Sequence, residues 1–244
     1  MIEISDGMPK RWGISREECD EFALRSQERA FESASKGYFK DEIVPSTIKG
    51  NKKTPDKIFA EDEFLRPETT MESLGKLRTV LGGDGVTTAG NASGHNGDAG
   101  FLLMMTAEKA KELGYAPYAR WVCGADYGVE PKFIGIGPVY SNLMAMKRAG
   151  LQKGDISVYE CNEAFAAQNL SVVKEMENQL GGKIDMADWN PNGGALALGH
   201  PNGASGARIG IFTMKELERR GGKYGLFSAC CCHSVSAIIE NLRR

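Results

Sequence analysis

No stretch of this chain approaches the roughly 20 apolar residues that a bilayer-spanning helix needs. The longest apolar run, Phe101 to Met105, is short and has small neighbours, and the N-terminus lacks a basic-then-apolar signal. No membrane association is expected. A surplus of charge is missing as well, since 30 Lys and Arg stand against 32 Asp and Glu for a formal balance of −2. Nothing global therefore draws the chain toward nucleic acid or an anionic surface. Histidine is scarce, with three residues, and no Cys-x-x-Cys pair occurs, which makes a structural metal site improbable. There are six cysteines, but Cys230, Cys231 and Cys232 are consecutive, a spacing that suits neither a disulfide framework nor a zinc knuckle. Reduced thiols and a cytoplasmic location are the expectation.

What is present is 244 residues of ordinary soluble composition, 41% hydrophobic and 25% charged, enough for one large domain or two modest ones. The 30 glycines cluster at 82–100, 193–206 and 221–225, and these clusters divide the chain. The part before about residue 93 reads as polar and broken. Within it Ser15 opens a helix as a capping box with Glu18, and Cys19, Phe22, Ala23, Ala30 and Phe31 follow near helical spacing until Gly37. From 41 to 80, Pro45, Pro55 and Pro67 punctuate an irregular run carrying Lys49, Lys52, Lys53 and Lys57, most simply a solvated face. After residue 94 strand and helix alternate. Strands are predicted at 101–105, 119–124, 156–161, 224–231 and 235–240, and helices at 107–113, 138–149, 164–179 and 204–219, which together describe a layered α/β domain.

Three places carry candidate chemistry. A β-branched strand stops at Tyr159-Glu160-Cys161-Asn162-Glu163-Ala164-Phe165-Ala166, where a helix begins, and α/β folds place ligands at such ends. Asn162 is there either a helix cap or a catalytic group. His200 lies between Gly199 and Pro201, and a residue before proline is pushed out of the helical region, so His200 is either a general base presented on a loop or a histidine tied to a carbonyl. The third place is the strand end Ser228-Ala229-Cys230-Cys231-Cys232-His233, where a thiol could be a nucleophile, a proton donor or an inert buried group.

The strings Asn162-Glu163-Ala164-Phe165-Ala166 and Gly199-His200-Pro201-Asn202-Gly203-Ala204-Ser205-Gly206-Ala207-Arg208 resemble the two signature loops of the thiolase family. Thr88-Ala89-Gly90-Asn91-Ala92-Ser93-Gly94 and Gly13-Ile14-Ser15-Arg16-Glu17-Glu18 resemble two further segments of it, in the same order. The resemblance implies acyl transfer between coenzyme A thioesters through an acyl-cysteine, with CoA thioesters as substrates and no cofactor or metal. It implies an α/β fold of αβαβα layers, of which this chain would hold the C-terminal half (94–244) preceded by part of a CoA-binding loop domain (1–93). On that pattern His200 matches the base that activates the nucleophilic thiol and later holds the thioester oxygen. Asn162 matches the residue that positions an oxyanion-hole water, and Cys230 the thiol that exchanges protons with the acyl-CoA. Ser93 and Ala89 match the pantetheine side, Arg66, Ser73, Leu77 and Leu81 the adenine and phosphate neighbourhood, and Ala164 and Phe165 the thioester end of the tunnel.

Two departures from the family pattern shape the expectation. The usual Cys-x-Gly-Gly-Gly tail is replaced by Cys230-Cys231-Cys232-His233-Ser234, leaving the Cys232 amide to serve the second oxyanion hole. The family's nucleophilic Cys-x-Ser-Gly turn does not occur in the sequence. The leading expectation is therefore the C-terminal subunit of a split, hetero-oligomeric thiolase whose partner chain, the N-terminal half, carries the nucleophilic cysteine. The alternatives are a non-catalytic CoA-binding or scaffold subunit and a fragment of a longer enzyme.

Overall fold

A computed structural model describes residues 1–231 and 233–244. Helix α1 (Ile2–Trp12) occupies a stretch whose Gly7 and Pro9 argue against a helix. Tertiary packing overrides that preference: Met8 is fully buried in the main core, and Trp12 Nε1 donates to Glu175 Oε2 at 3.0 Å. Helix α2 (Arg16–Ser35) begins as expected, with Ser15 and Glu18 forming a reciprocal capping box and Gly37 at φ 75° just beyond its end. Its buried stripe runs through Cys19, Phe22, Ala23 and Ala30. Phe31, counted with that stripe from its spacing, is instead 48% exposed, because it sits one position and about 100° beyond Ala30.

The irregular run 41–80 contains regular pieces that its composition concealed. Strands β1 (Ser46–Ile48) and β2 (Lys57–Phe59) form an exposed antiparallel hairpin, and α3 (Met71–Gly75) starts at a Thr70/Ser73 capping box. The lysines here are largely solvated, Lys49 paired with Asp56 and Lys57 with Glu63.

After α4 (Ala107–Glu112) the chain builds a four-stranded mixed sheet from β3 (Ala119–Tyr127), β4 (Ile156–Cys161), β5 (Tyr224–Ala229) and β6 (Ser234–Asn241) in the order β3-β6-β5-β4. Only β4 and β5 are parallel. Helix α5 (Gly137–Ala149) lies on β3 and β6, where Ser236 bonds Ser141 and Asn142, and α6 (Ala166–Leu180) packs beside it and against α1 and α2. Helix α8 (Ser205–Arg220), preceded by the short α7 (Ala195–Leu198), covers β4 and β5. Ile239, an odd number of residues from Ser236, packs with Leu217 of α8, so α5 and α8 cover opposite faces. The main core joins Met8, Phe22, Leu74 and Val86 to Val139, Trp189 and Ile238, so the first ninety residues and the sheet share one interior.

Two strand expectations need correction. Residues 101–105 form no strand: Phe101 is 87%, Leu103 76% and Met104 67% exposed. A strand needs a neighbour for its amides and carbonyls, and among the described residues nothing pairs with this segment, which runs past α8 with Leu102 against Gly210. Strand β5 also ends at Ala229, two residues earlier than predicted, so Cys230 and Cys231 lie in the turn after it, beyond strand alternation.

Candidate active site

His200 sits where the sequence motif places it, outside any helix and after Gly199, whose φ of 82° suits glycine and whose Cβ position would overlap the Asn96 side chain. Its amide donates to Gly94 O at 2.8 Å, which locks the His200 loop to the 88–94 turn. The imidazole is fixed at both nitrogens. Nδ1 lies 2.7 Å from Ser205 Oγ, and Nε2 lies 3.3 Å from Asn162 Nδ2. Ser205 Oγ directs its single hydrogen to Pro201 O at 3.2 Å, so it accepts from Nδ1–H, and Nε2 keeps the lone pair that faces the Asn162 amide. Burial, then the charge of Arg208, holds the imidazole below the ordinary histidine value. The result is a neutral, oriented imidazole.

Asn162 is no helix cap: the α6 N-cap is Phe165, which caps through no side chain. The Asn162 amide bonds Ser228 O at 2.9 Å, tying the end of β4 to the end of β5, and its carbonyl accepts from Asn169 Nδ2 at 3.1 Å while Asn169 Oδ1 accepts from the buried Trp189. Its own Oδ1 is buried with no hydrogen-bond partner among the described residues. Beneath it Glu163, 1% exposed, accepts from Ser26 at 2.6 Å, from Asn190 Nδ2 at 2.8 Å and from the Leu196 amide at 3.3 Å. Asn190, at φ 45°, also bonds both the amide and the carbonyl of Cys161, and Arg29 of α2 clamps the carbonyls of Met186, Trp189 and Asn190. Three separate stretches of chain thus converge on one rigid floor.

Cys230 follows β5 at the same end of the sheet, and burial pushes its thiol up to about 11, so it holds its proton at neutrality. Cys231 is exposed, with its Sγ directed to His233 O. Cys232 lies outside the described residues. No group of three or more potential metal ligands occurs among the described residues.

The C-terminal domain model of the thiolase family matches residues 115–241, and its N-terminal domain model matches residues 4–108. The chain belongs to the thiolase family. It is 46% identical over 99% of its length to the 3-oxoadipyl-CoA/3-oxo-5,6-dehydrosuberyl-CoA thiolase of Escherichia coli, covering 60% of that protein. It is 43% identical over 94% of its length to the acetyl-CoA acetyltransferase of Allochromatium vinosum, covering 57% of it. Among solved structures, the Bacillus anthracis acetyl-CoA acetyltransferase superposes with a TM-score of 0.93 at 40% identity, over 98% of this chain and 59% of that one. Human mitochondrial 3-ketoacyl-CoA thiolase superposes with a TM-score of 0.87 at 39% identity, over 98% and 59%. The chain thus has the thiolase α/β fold and spans about three fifths of the length of these relatives.

The remaining predicted residues fall into two groups on this thiolase framework. Ser93 donates its amide to Ala164 O at 3.1 Å, and Ala92 bridges Phe165, so Ser93, Ala164 and Phe165 adjoin the Asn162 loop. Ser73, Leu77, Leu81 and Ala89 lie at the end of an exposed arm, residues 41–90, in α3 and the turns after it, where Val80 N bonds Thr87 O and Gly90 packs on Leu74 and Leu77. The Ser73 hydroxyl is already spent on the α3 capping box. Arg66 is exposed over the Phe64 ring, its amide held by Gln27. Sequence reasoning did not single out Ser205, Glu163, Asn190 or Ser26. Ser205 was legible as the hydroxyl nearest His200 in its own motif, whereas Ser26 carries no local signal, because only the packing of α2 brings it to Glu163.

Proposed function

We propose that this chain supplies the base, the enolate-stabilising groups and a proton donor for acyl transfer between CoA thioesters, acting on a cysteine nucleophile carried by polypeptide outside these 244 residues. The observation that carries the reading is the two-point fixation of His200, with Ser205 on Nδ1 and Asn162 at Nε2. In thiolysis of a 3-ketoacyl-CoA, Nε2 takes the proton of the nucleophilic cysteine as its sulfur bonds the 3-keto carbon. The Cα–Cβ bond then breaks, leaving the enolate of the departing thioester. The protonated Nε2 donates to the enolate oxygen, together with a water positioned by Asn162, and preorganised donors of this kind are worth several kcal/mol at a developing oxyanion. Cys230, protonated at rest, returns a proton to the enolate carbon. Free CoA finally takes the acyl group from the nucleophile, its thiol proton passing to the Cys230 thiolate while the proton on Nε2 returns to the released cysteine. The chemistry calls for no prosthetic group. A role for the Cys232 amide in the second oxyanion hole remains an expectation of the family pattern.

The arm bearing Arg66, Ser73, Leu77 and Leu81 would receive the nucleotide end of CoA, and Ser93, Ala164 and Phe165 the pantetheine and thioester end. Exposed apolar surface supports docking of a nucleophile-bearing half: Phe101, Leu103, Met104, Trp121 and Val235 are exposed around the α8 side of the sheet, and surface of this kind marks interaction sites. We propose a partner chain there, in a hetero-oligomer. Copurification, followed by incubation with labelled acetyl-CoA and peptide mass spectrometry, tests the reading: label on a partner cysteine in a Cys-x-Ser-Gly turn supports it. Label on Cys230 or Cys231, or full activity from the 244 residues alone, overturns it. The replacement of the family's glycine-rich tail by Cys231-Cys232-His233 favours a second reading, a non-catalytic CoA-binding subunit, which would show CoA binding with no labelled cysteine.

A further inference from the structure

Arg208 lies three residues after Ser205 in the first turn of α8, and residues so spaced share one face of a helix. All three guanidinium nitrogens are closed to solvent, and none has a hydrogen-bond partner among the described residues. The guanidinium lies over an aromatic face, with Arg208 Cζ 5.8 Å from the centre of the Phe212 ring. A buried guanidinium with unanswered donors is costly, and ordinary packing would be served as well by an apolar side chain. We propose that Arg208 is a positioning residue for the base: its permanent charge, held one helical turn beyond Ser205, keeps His200 neutral at rest and makes the imidazolium formed during turnover readier to give its proton back. The inference rests on the reading of His200 as the base, but the titration it predicts is independent of turnover.

The charges around the pair support this assignment. Burial and then Arg208, followed by His95 on the 94–100 loop, act against protonation of His200, in the same sense as the positive end of α8. The acidic groups within reach of Arg208 are Glu160 and Glu163 at the end of β4, with Asp62 and Asp98 on loops. Burial pushes the Glu160 carboxyl well above the usual carboxylate range, so it does not cancel the guanidinium charge, and the Glu163 oxygens bond Ser26, Asn190 and the Leu196 amide rather than the guanidinium.

The test is an NMR titration of the imidazoles in the full chain, which has only three histidines, with His95→Gln and His200→Gln serving for assignment. His200 is expected to titrate below the ordinary histidine value. Arg208→Gln should raise it by about half a unit to one unit, a roughly three- to tenfold gain in proton affinity, whereas Arg208→Lys should leave it within about 0.2 units. The double variant Arg208→Gln/Glu160→Gln removes the guanidinium charge together with the neighbouring buried carboxyl and serves if the single variant does not fold. An unchanged His200 in the neutral variants, or a shift in Arg208→Lys as large as in Arg208→Gln, overturns the proposal. If neither neutral variant folds, Arg208 belongs to stability alone and the proposal fails.

Discussion

The floor around His200 and the arm between residues 41 and 90 would serve opposite ends of one substrate, yet they are built on opposite principles. On the floor, Glu163, Asn190, Asn169 and Ser205 are buried and bonded to named partners, so the reacting groups have no freedom to relax. On the arm, both strands of the β1–β2 hairpin are exposed throughout, and its lysines are held by surface ion pairs or, among the described residues, by none. Bond making at a thioester requires donors aimed in advance in a water-poor site, whereas attracting phosphates requires only charge within a screening length. Substitutions on the floor should therefore act on the chemistry and on stability, and substitutions on the arm on capture alone.

The sharpest form of that contrast is His200→Ala. In the assembled enzyme it should lower turnover at least about 10³-fold without loss of assembly, since the motif glycines rather than the imidazole shape the loop. Steady-state thiolysis of a 3-ketoacyl-CoA measures it, and near-normal turnover would remove the base from the mechanism. The acid limb carries the same information. Because the folded imidazole is held below its unfolded value, the unfolded chain binds the proton more readily. Stability from this group is complete above about pH 6.5 and is lost as the pH falls below it, while kcat should hold through pH 6.5 and fall only at lower pH.

Next in size come the cysteines. Cys230→Ser should cost about 10²-fold in turnover, since a serine hydroxyl is a far weaker acid, and Cys231→Ser should stay within about twofold because Cys231 is exposed. The difference rests on burial in the turn after β5, not on strand alternation. Equal sensitivity at both positions would show that the turn presents either thiol, and indifference at both would favour the non-catalytic subunit.

A third substitution separates scaffold from chemistry. Glu163→Ala should destabilise the chain by about 3 kcal/mol, read as a fall in the urea midpoint at unchanged slope, because it leaves Ser26, Asn190 and the Leu196 amide without their acceptor. A loss under about 1 kcal/mol would mean that the floor is held mainly by Arg29 and the Trp189 packing.

Local chemistry made the capping box at Ser15, the helix stop at Gly37, the β4-to-α6 junction and the His200 loop readable, because each is decided by residues within a few positions of one another. Helix α1 was hidden behind Gly7 and Pro9, which tertiary contacts with α6 and with residues 86–87 outweigh. The run 101–105 has the composition of a buried strand, but composition cannot say whether a pairing edge is present. The same reasoning divides the site. The His200 loop and Asn162 are local strings, while Ser26 and Arg29 reach the floor from more than a hundred residues away and are invisible until α2 is packed.

The smallest effect is expected on the arm, at Lys52 and Lys53. Both are exposed, and neither forms an ion pair among the described residues, whereas Lys49 and Lys57 are neutralised by Asp56 and Glu63. If the arm receives CoA as proposed, these two lysines would act by long-range attraction, so replacing both with Gln should raise the KM for CoA about two- to threefold at low ionic strength and leave kcat unchanged. In about 1 M salt, where the screening length contracts to about 3 Å, the difference should vanish. An effect that survives high salt would require direct contact between one of these lysines and a phosphate, which would make the arm as specific as the floor. No effect at any salt concentration would leave both lysines as solubilising charge, with Arg66 and its neighbours alone to receive the nucleotide.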